Sequence, residues 1–330
     1  MKRSLLTAIV TISVILPQYS FATKNIDNKG TFAISFENDL FAGDDSGYTN
    51  GVRISWLSDE EEAPVWMENL ANMMPLFANE GRQRYSFAFG QSIFSPKSLH
   101  RRDLIGNDRP YAGFLYGSAG MLRDTGEELD NLVLTLGIVG PSALGEEAQN
   151  TAHRLNNYSE AQGWANQLKD EPGIMLTYEK KWRNIYEFSP FGWAVDATPH
   201  MGGSIGNVYT YASTGAVFRF GYDLPSDYGP PLILPSLPGS DFFNPSKNLG
   251  WYLFAGIEGR AVAHNIFLDG NTFRDSHSVN KNNFVGSLQG GVAFTFGDAR
   301  LAYTHVYRTE EFDEQTEPEM YGSFSLSWRF

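Results

Sequence analysis

Along most of this chain apolar and polar residues alternate one for one. The last stretch, MYGSFSLSWRF, puts Phe324, Leu326, Trp328 and Phe330 on one side of an extended strand and Ser323, Ser325, Ser327 and Arg329 on the other. Phe32, Ile34 and Phe36 alternate in the same way with Ala33, Ser35 and Glu37, and Tyr85, Phe87 and Phe89 with Ser86, Ala88 and Gly90. Leu132, Leu134, Leu136 and Ile138 form another apolar row, and Ile174, Leu176 and Tyr178 another. A period of two marks a strand with one polar and one apolar face. Repeated along a chain, it describes a wall with lipid on one side and a polar lumen on the other. The pattern predicts strands over 30–38, 47–57, 82–91, 112–123, 129–139, 171–182, 187–200, 207–222, 249–263, 283–296, 299–309 and 320–330. That is twelve, an even number, as single-chain bacterial barrels have. The fold class is therefore all-β: a single-chain transmembrane antiparallel β-barrel.

One segment breaks the alternation. GEEAQNTAHRL, residues 145–155, reads as a short polar helix with Gln149 and His153 four residues apart on one face. Ser142 is placed to cap it, and Glu146 and Glu147 sit in its first turn, where the helix dipole favours negative charge. With the N-terminus in the periplasm, the extracellular connections fall near 39–46, 92–111, 140–170, 201–206, 264–282 and 310–319, so the helix lies outside the cell. Two periplasmic connections, 58–81 and 223–248, are longer than barrels usually have. The first carries a candidate interfacial helix around VWMENLANMM, and the second is a Pro-rich loop.

The N-terminus fits that address. Lys2 and Arg3 precede an apolar run from Leu5 to Leu16 and then Ser20 and Ala22, the plan of a secretory signal peptide over 1–22. The run is short of the roughly 20 residues a spanning helix needs. Residues 23–330 then form one barrel domain in the bacterial outer membrane. Removing the two leader cations takes the formal charge from −13 to −15, which argues against nucleic acid as a partner. Cysteine is absent, which excludes disulfides and thiol chemistry. On composition alone a secreted soluble β-protein fits as well; the terminal strand decides for the barrel.

Three polar groups share the extracellular side. In ENDLFAGDDSGYTNG, 37–51, Asn38 and Asp39 leave the first strand and Thr49 and Asn50 enter the second, so carboxylate, amide, hydroxyl and carbonyl oxygens converge. Oxygen ligands on a loop suit Ca2+; the plainer reading is Asx and Gly turn chemistry. In FSPKSLHRRDLIGNDRPYAG, 94–113, Lys97, Arg101, Arg102 and Arg109 form the densest basic patch. Guanidinium forks suit phosphate, and the alternative is a solvated loop among lipid headgroups. His153 can take a proton from water, although a lone loop histidine is more often a surface residue. His100, His200, His264, His277 and His305 show no metal-ligand spacing, and no G-x-S-x-G elbow occurs.

At these stretches the sequence resembles a known family. FENDLF…YTNGV, QSIFSPKS…NDRPYAGFLY, GIVGPSALGEEAQNTAHRL and EAQGWANQLKDEPGIMLTYEKKW are similar to the outer-membrane lipid A 3′-O-deacylases, across essentially the mature chain. The resemblance implies a twelve-stranded barrel with its active site between the wall and an extracellular helix. It implies Ca2+-dependent hydrolysis of the 3′ ester of lipid A in lipopolysaccharide. On this sequence it implies His153 as the base and Asp39 as a Ca2+ ligand. Asn38 and Thr49 complete the metal and oxyanion environment, Gln149 supports it from the helix, and Arg101 and Arg102 face substrate phosphate. Where the family pattern has an acid six residues after the histidine, this chain has Ser159, with Glu160 next to it, so what orients His153 is left open. Terminal Phe330 resembles the signal read by the barrel assembly machinery. An outer-membrane phospholipase and a non-enzymatic porin or lipopolysaccharide-binding barrel are the competing classes.

Overall fold

The computed structural model describes residues 28–39, 47–60, 64–78, 80–183, 186–188, 191–225, 227–229, 233, 243 and 246–330. The leader predicted over 1–22 and loop residues 40–46 lie outside them. The strands are β1 (Thr31–Asn38), β2 (Gly47–Leu57), β3 (Arg82–Ser95), β4 (Ala112–Asp124), β5 (Glu128–Val139), β6 (Glu171–Trp182), β7 (Tyr186–Phe188), β8 (Trp193–Gly206), β9 (Tyr209–Tyr222), β10 (Ser246–Asn265), β11 (Phe284–Gly297), β12 (Ala299–Arg308) and β13 (Glu319–Arg329). Neighbours in sequence pair antiparallel, and β1 pairs with β13 from Thr31↔Arg329 to Asn38↔Gly322. The wall closes where β6 meets β8, from Met175↔Gly206 to Lys181↔His200. Short β7 continues along the same edge of β8, with Tyr186 opposite Ala197. β6 and β7 are thus one interrupted stave, and thirteen strands make a twelve-staved closed barrel.

Burial follows the alternation. Along β1, Thr31, Ala33, Ser35 and Glu37 are buried while Phe32, Ile34 and Phe36 are exposed. The exposed row continues through Ile54, Phe89, Leu136, Ile174, Phe218, Leu253, Leu301 and Leu326, an apolar belt on the outer face. At one end the belt finishes in aromatics. Trp56 stacks on Phe87 with centroids 6.2 Å apart, and Trp193 meets Trp251 edge-on at 5.7 Å. Such girdles sit at the membrane–water boundary.

The lumen is not an open channel. Arg219 donates through Nε to Asp196 Oδ1 at 2.9 Å, and Arg300 through Nη1 to Asp227 Oδ2 at 2.9 Å. Asp227, Tyr228, Ile233 and Phe243 are all buried, so the described residues of the connection predicted as a Pro-rich loop fold inside the barrel. Its length was the only sequence signal for this.

Helix α1 (Val65–Met73) forms where the interfacial helix was expected, and α2 (Gly145–Leu155) where the polar helix was expected; α3 (Ile266–Asp269) is a single turn. Several boundaries shift. The turn expected after 182 lies instead between β7 and β8, where Phe191 and Gly192 adopt φ of 58° and 83°. Two such residues make the hairpin turn whose twist matches the strands. Residues 201–206 belong to β8 rather than to a loop, and β3 runs on to Ser95.

Candidate functional site on the outer face of the wall

Register decides where the site lies. Asn38 is opposite Asn50, Asn50 opposite Ile93, and Ile93 opposite Gly113, one row across four strands. Asn38 is in step with exposed Phe36, and Ile93 with exposed Phe89, so this row continues the outward face beyond the apolar belt. The lumen-side row beside it holds Glu37, Gly51, Ser92 and Phe114.

Helix α2 lies on that row. Its first residue, Gly145, approaches Gly113 so closely that a Cβ on Gly113 would stand 3.1 Å from the Gly145 nitrogen and 3.1 Å from the Ala143 Cβ. A side chain on Gly113 would have to push the start of α2 outward by a few tenths of an ångström. The preceding turn, Pro141–Ala143, is fastened by Gln91 Nε2, which donates to the Ala143 carbonyl at 2.6 Å. Ser142 does not cap the helix. Its N–H and hydroxyl both donate to Asp170, at 2.7 and 2.8 Å, and the N-cap position is Leu144 in the left-handed region. The cap was mislocated because Asp170, 28 residues on, competes for the serine.

Gln149 and His153 share one face of α2, as the spacing predicted, and both are buried on its underside together with Asn150. Trp164, in the turn Trp164–Asn166, packs with Ile93, Tyr111 and Ala161 and partly against Ala148. Its Nε1 donates to Gln149 Oε1 at 2.8 Å. An indole can only donate, so the amide is fixed with Nε2 turned away from Trp164, and that Nε2 is buried with no hydrogen-bond partner. Asn150 is structural: its Oδ1 accepts from the Ala161 N–H at 2.8 Å.

His153 Nδ1 lies 2.6 Å from the Ser159 carbonyl oxygen. A carbonyl only accepts, so the proton sits on Nδ1 and the Nε2 lone pair is free to receive one. A peptide oxygen, rather than a side-chain acid, thus holds the imidazole ring. Glu160 does not substitute, because its carboxylate is held by Arg154 at 2.7 Å. Tyr158 sets its ring edge-on to the imidazole, with centroids 6.1 Å apart.

On the wall side Asn38 Nδ2 donates to the Thr49 carbonyl at 2.9 Å, which turns Asn38 Oδ1 outward from that bond as an acceptor. Asp39 is fully buried, and Thr49 shares a hydroxyl contact with Ser95. Ser95 was hidden from sequence reading because it sits beyond the predicted end of its strand. Asn38 amide, Asp39 carboxylate, Thr49 carbonyl and the two hydroxyls are hard oxygen donors of the kind Ca2+ takes. Among the described residues no three His, Asp or Glu side chains converge on a metal position, so a cation here would draw at most two of its ligands from such side chains and the rest from neutral oxygens.

The arginines separate. Arg101 and Arg102 are exposed on a segment bound to the Trp164 turn: the Gln162 N–H donates to the Leu99 carbonyl at 2.7 Å and Asn166 Nδ2 to the Arg102 carbonyl at 2.8 Å. Arg109 is buried, with Glu311 at 2.8 Å and Glu319 at 3.7 Å. Burial alone would lower its pKa, but the two carboxylates outweigh this and raise it. Arg109 is therefore held in an internal ion network, and it lines one pocket with Lys97 and Arg101. Composition could not separate it from its neighbours, since its partners lie some 200 residues away.

Together these observations define a class: an outer-membrane-type β-barrel with a polar site between its outer wall and a loop helix. Residues 5–330 match the model of the family described as outer membrane protein LpxR, and the chain belongs to that family. Among solved structures, LpxR from Salmonella typhimurium is 21% identical, covering 91% of this chain and 100% of that one with a TM-score of 0.75. The β domain of the Bordetella autotransporter BrkA is 12% identical, covering 92% of this chain and 99% of that one with a TM-score of 0.44. Comparison with curated protein sequences found no match. The family match bears out the resemblance read from the motifs, and the first structure bears out the barrel.

Proposed function

We propose that this chain, an LpxR-like lipid A deacylase of the outer membrane, hydrolyses the ester holding the 3′ acyloxyacyl chain by attack of a water that His153 deprotonates. The observation that carries this reading is the Nδ1 contact to the Ser159 carbonyl, which leaves Nε2 as a base on the underside of α2. A positioned base contributes typically about 10²–10⁴-fold. The Gln149 amide supplies the second element. A buried donor without a partner costs about 1–3 kcal/mol, and an oxyanion forming beside Nε2 would recover it. Asn38, Asp39 and Thr49 would hold Ca2+, which when bound supplies Lewis-acid stabilisation of the developing charge.

The position of the site supports a lipid substrate. It lies on the outward face just past the apolar belt, so a molecule whose chains run in the membrane arrives laterally, its ester at the level of α2. Arg101 and Arg102 stand beside the Trp164 turn for its phosphates. The α2 end, extracellular when the N-terminus is periplasmic, has connections 96–111 and 140–170; the other end combines the short turns 125–127 and 298 with the long connections 58–81 and 223–245. A passive porin fits poorly with the lumen ion pairs Arg219–Asp196 and Arg300–Asp227. A serine-dependent phospholipase finds no support at His153, whose hydrogen-bond partner is a backbone carbonyl.

The test is mass spectrometry of lipid A from membranes containing the protein, with Ca2+ or chelator, beside His153→Ala. A Ca2+-dependent loss of one 3′ acyloxyacyl unit, absent in the variant, is expected. Unchanged lipid A from folded protein in every condition defeats the reading, and full activity in saturating chelator defeats the metal.

A further inference from the structure

A second feature of the outer wall lies at the opposite end from α2. Helix α1 and the segment after it lie against the outside of the barrel. Arg123, outward on β4, donates to the Ala78 carbonyl at 2.6 Å and to Asn72 Oδ1 at 3.0 Å. Asp130, outward on β5, accepts from the Ala78 N–H at 2.9 Å and from the Tyr178 hydroxyl at 2.6 Å. Ala71 and Phe77 are buried against Met121, with Leu132 and Tyr178 packed alongside. The helix is thus fastened to the wall by buried polar pairs. Yet Val65, Trp66, Met73 and Leu76 remain exposed, as on a helix lying in a membrane interface.

Between this segment and the wall runs a groove. Met73 to Leu76 form one side, and Leu132, Leu176 and Ile205 the other, with Gly203 in its floor opposite Tyr178. Leu176 and Ile205 are partners across β6 and β8 and belong to the exposed apolar face, so the groove opens directly onto membrane hydrocarbon. From Tyr178 to Leu176 it climbs the wall by about 7 Å at roughly 3.4 Å per residue. At the Tyr178 end, the next outward position on β6 is Lys180, whose Nζ is 2.6 Å from Glu128 and 3.5 Å from Asp130, the carboxylate that also accepts from the Tyr178 hydroxyl; this end of the groove therefore meets both signs of charge.

We infer that this groove is a binding site for one acyl chain of a zwitterionic glycerophospholipid from the periplasmic leaflet. The leaflet rests on the orientation proposed above; the lipid chemistry does not. Continuity with the apolar wall selects a hydrocarbon chain, and the paired charges at the Tyr178 end match an ammonium–phosphate headgroup better than a purely anionic one. Lipid tails are already in hydrocarbon, so burial of apolar area alone does not retain this chain. Retention comes from close packing in the groove and from the headgroup at Lys180 and Glu128, which makes the lipid distinguishable from the mobile lipid around the barrel.

The experiment uses the full protein extracted in mild detergent, exchanged with excess phosphatidylethanolamine and read by native mass spectrometry. One phosphatidylethanolamine per barrel should survive detergent activation. Leu176→Trp, which fills the groove from an exposed position, should reduce that adduct at least fivefold, and Ile205→Trp should do the same from the neighbouring strand. Leu326→Trp, exposed on a distant stave, should retain it. Heat-modifiable electrophoretic mobility reports folding of each variant. No adduct on the unaltered protein, or equal retention in all variants, overturns the site. A retained lipid A that only the groove variants lose overturns the leaflet. The readout is lipid mass, so it is independent of whether His153 catalyses deacylation.

Discussion

The orientation of His153 by a peptide oxygen makes a paired prediction. If the Ser159 carbonyl is the partner at 2.6 Å, removing the Ser159 hydroxyl should change little, because the hydroxyl takes no part in that bond. Ser159 is exposed, and Ser159→Ala keeps the carbonyl that holds the ring, so its rate should stay within about twofold of the parent, under ~0.5 kcal/mol of transition-state stabilisation. His153→Ala removes the base itself and should cost about 10²–10⁴-fold, or roughly 3–5 kcal/mol of transition-state stabilisation. The assay is the initial rate of lipid A deacylation in detergent micelles, followed by mass spectrometry, with heat-modifiable mobility as the check on folding. A tenfold or greater loss in folded Ser159→Ala would refute the carbonyl as the orienting group. A His153→Ala rate within threefold of the parent would remove His153 from the chemistry.

Gln149→Leu takes away the unpartnered amide; kcat should fall by about 10²–10³-fold with the barrel still folded, and a change in KM alone would deny it the oxyanion role. Arg109→Met takes from buried Glu311 its closest cation, at 2.8 Å, and leaves Glu311 and Glu319 with Arg308 alone; removing one partner of a buried pair costs up to about 3–5 kcal/mol. Thermal unfolding should expose this loss, whereas Arg101→Ala should leave stability unchanged and raise KM. Burial alone would push the Glu311 carboxyl up, but Arg308 and Arg109 outweigh it and hold it below its ordinary range. A depressed folded pKa contributes stability that is present above the ordinary carboxylate range and is lost as pH falls through the lowered value. Acid unfolding of Glu311→Gln should therefore be shallower across that window, and an identical acid limb would refute the pairing.

Alternation, parity and the helix spacing were legible in the sequence because each is local: side-chain period follows from strand or helix geometry within a few residues. The barrel, its twelve staves, α1, α2 and the shared face of Gln149 and His153 came from there. Local pattern could not say what lies across the sheet. Only register puts Asn38, Asn50, Ile93 and Gly113 in one row and so places the site on the outer face of the wall. Only the closed fold brings Glu311 and Glu319 to Arg109, sends Asp227 into the lumen, gives Ser142 to Asp170 and lends the Ser159 peptide oxygen to His153. The physical reason is common to all of these. A side chain's own surroundings in sequence fix which way it points, but its partner is chosen by long-range pairing, and a backbone carbonyl can take the place of a side chain without leaving any mark in the sequence.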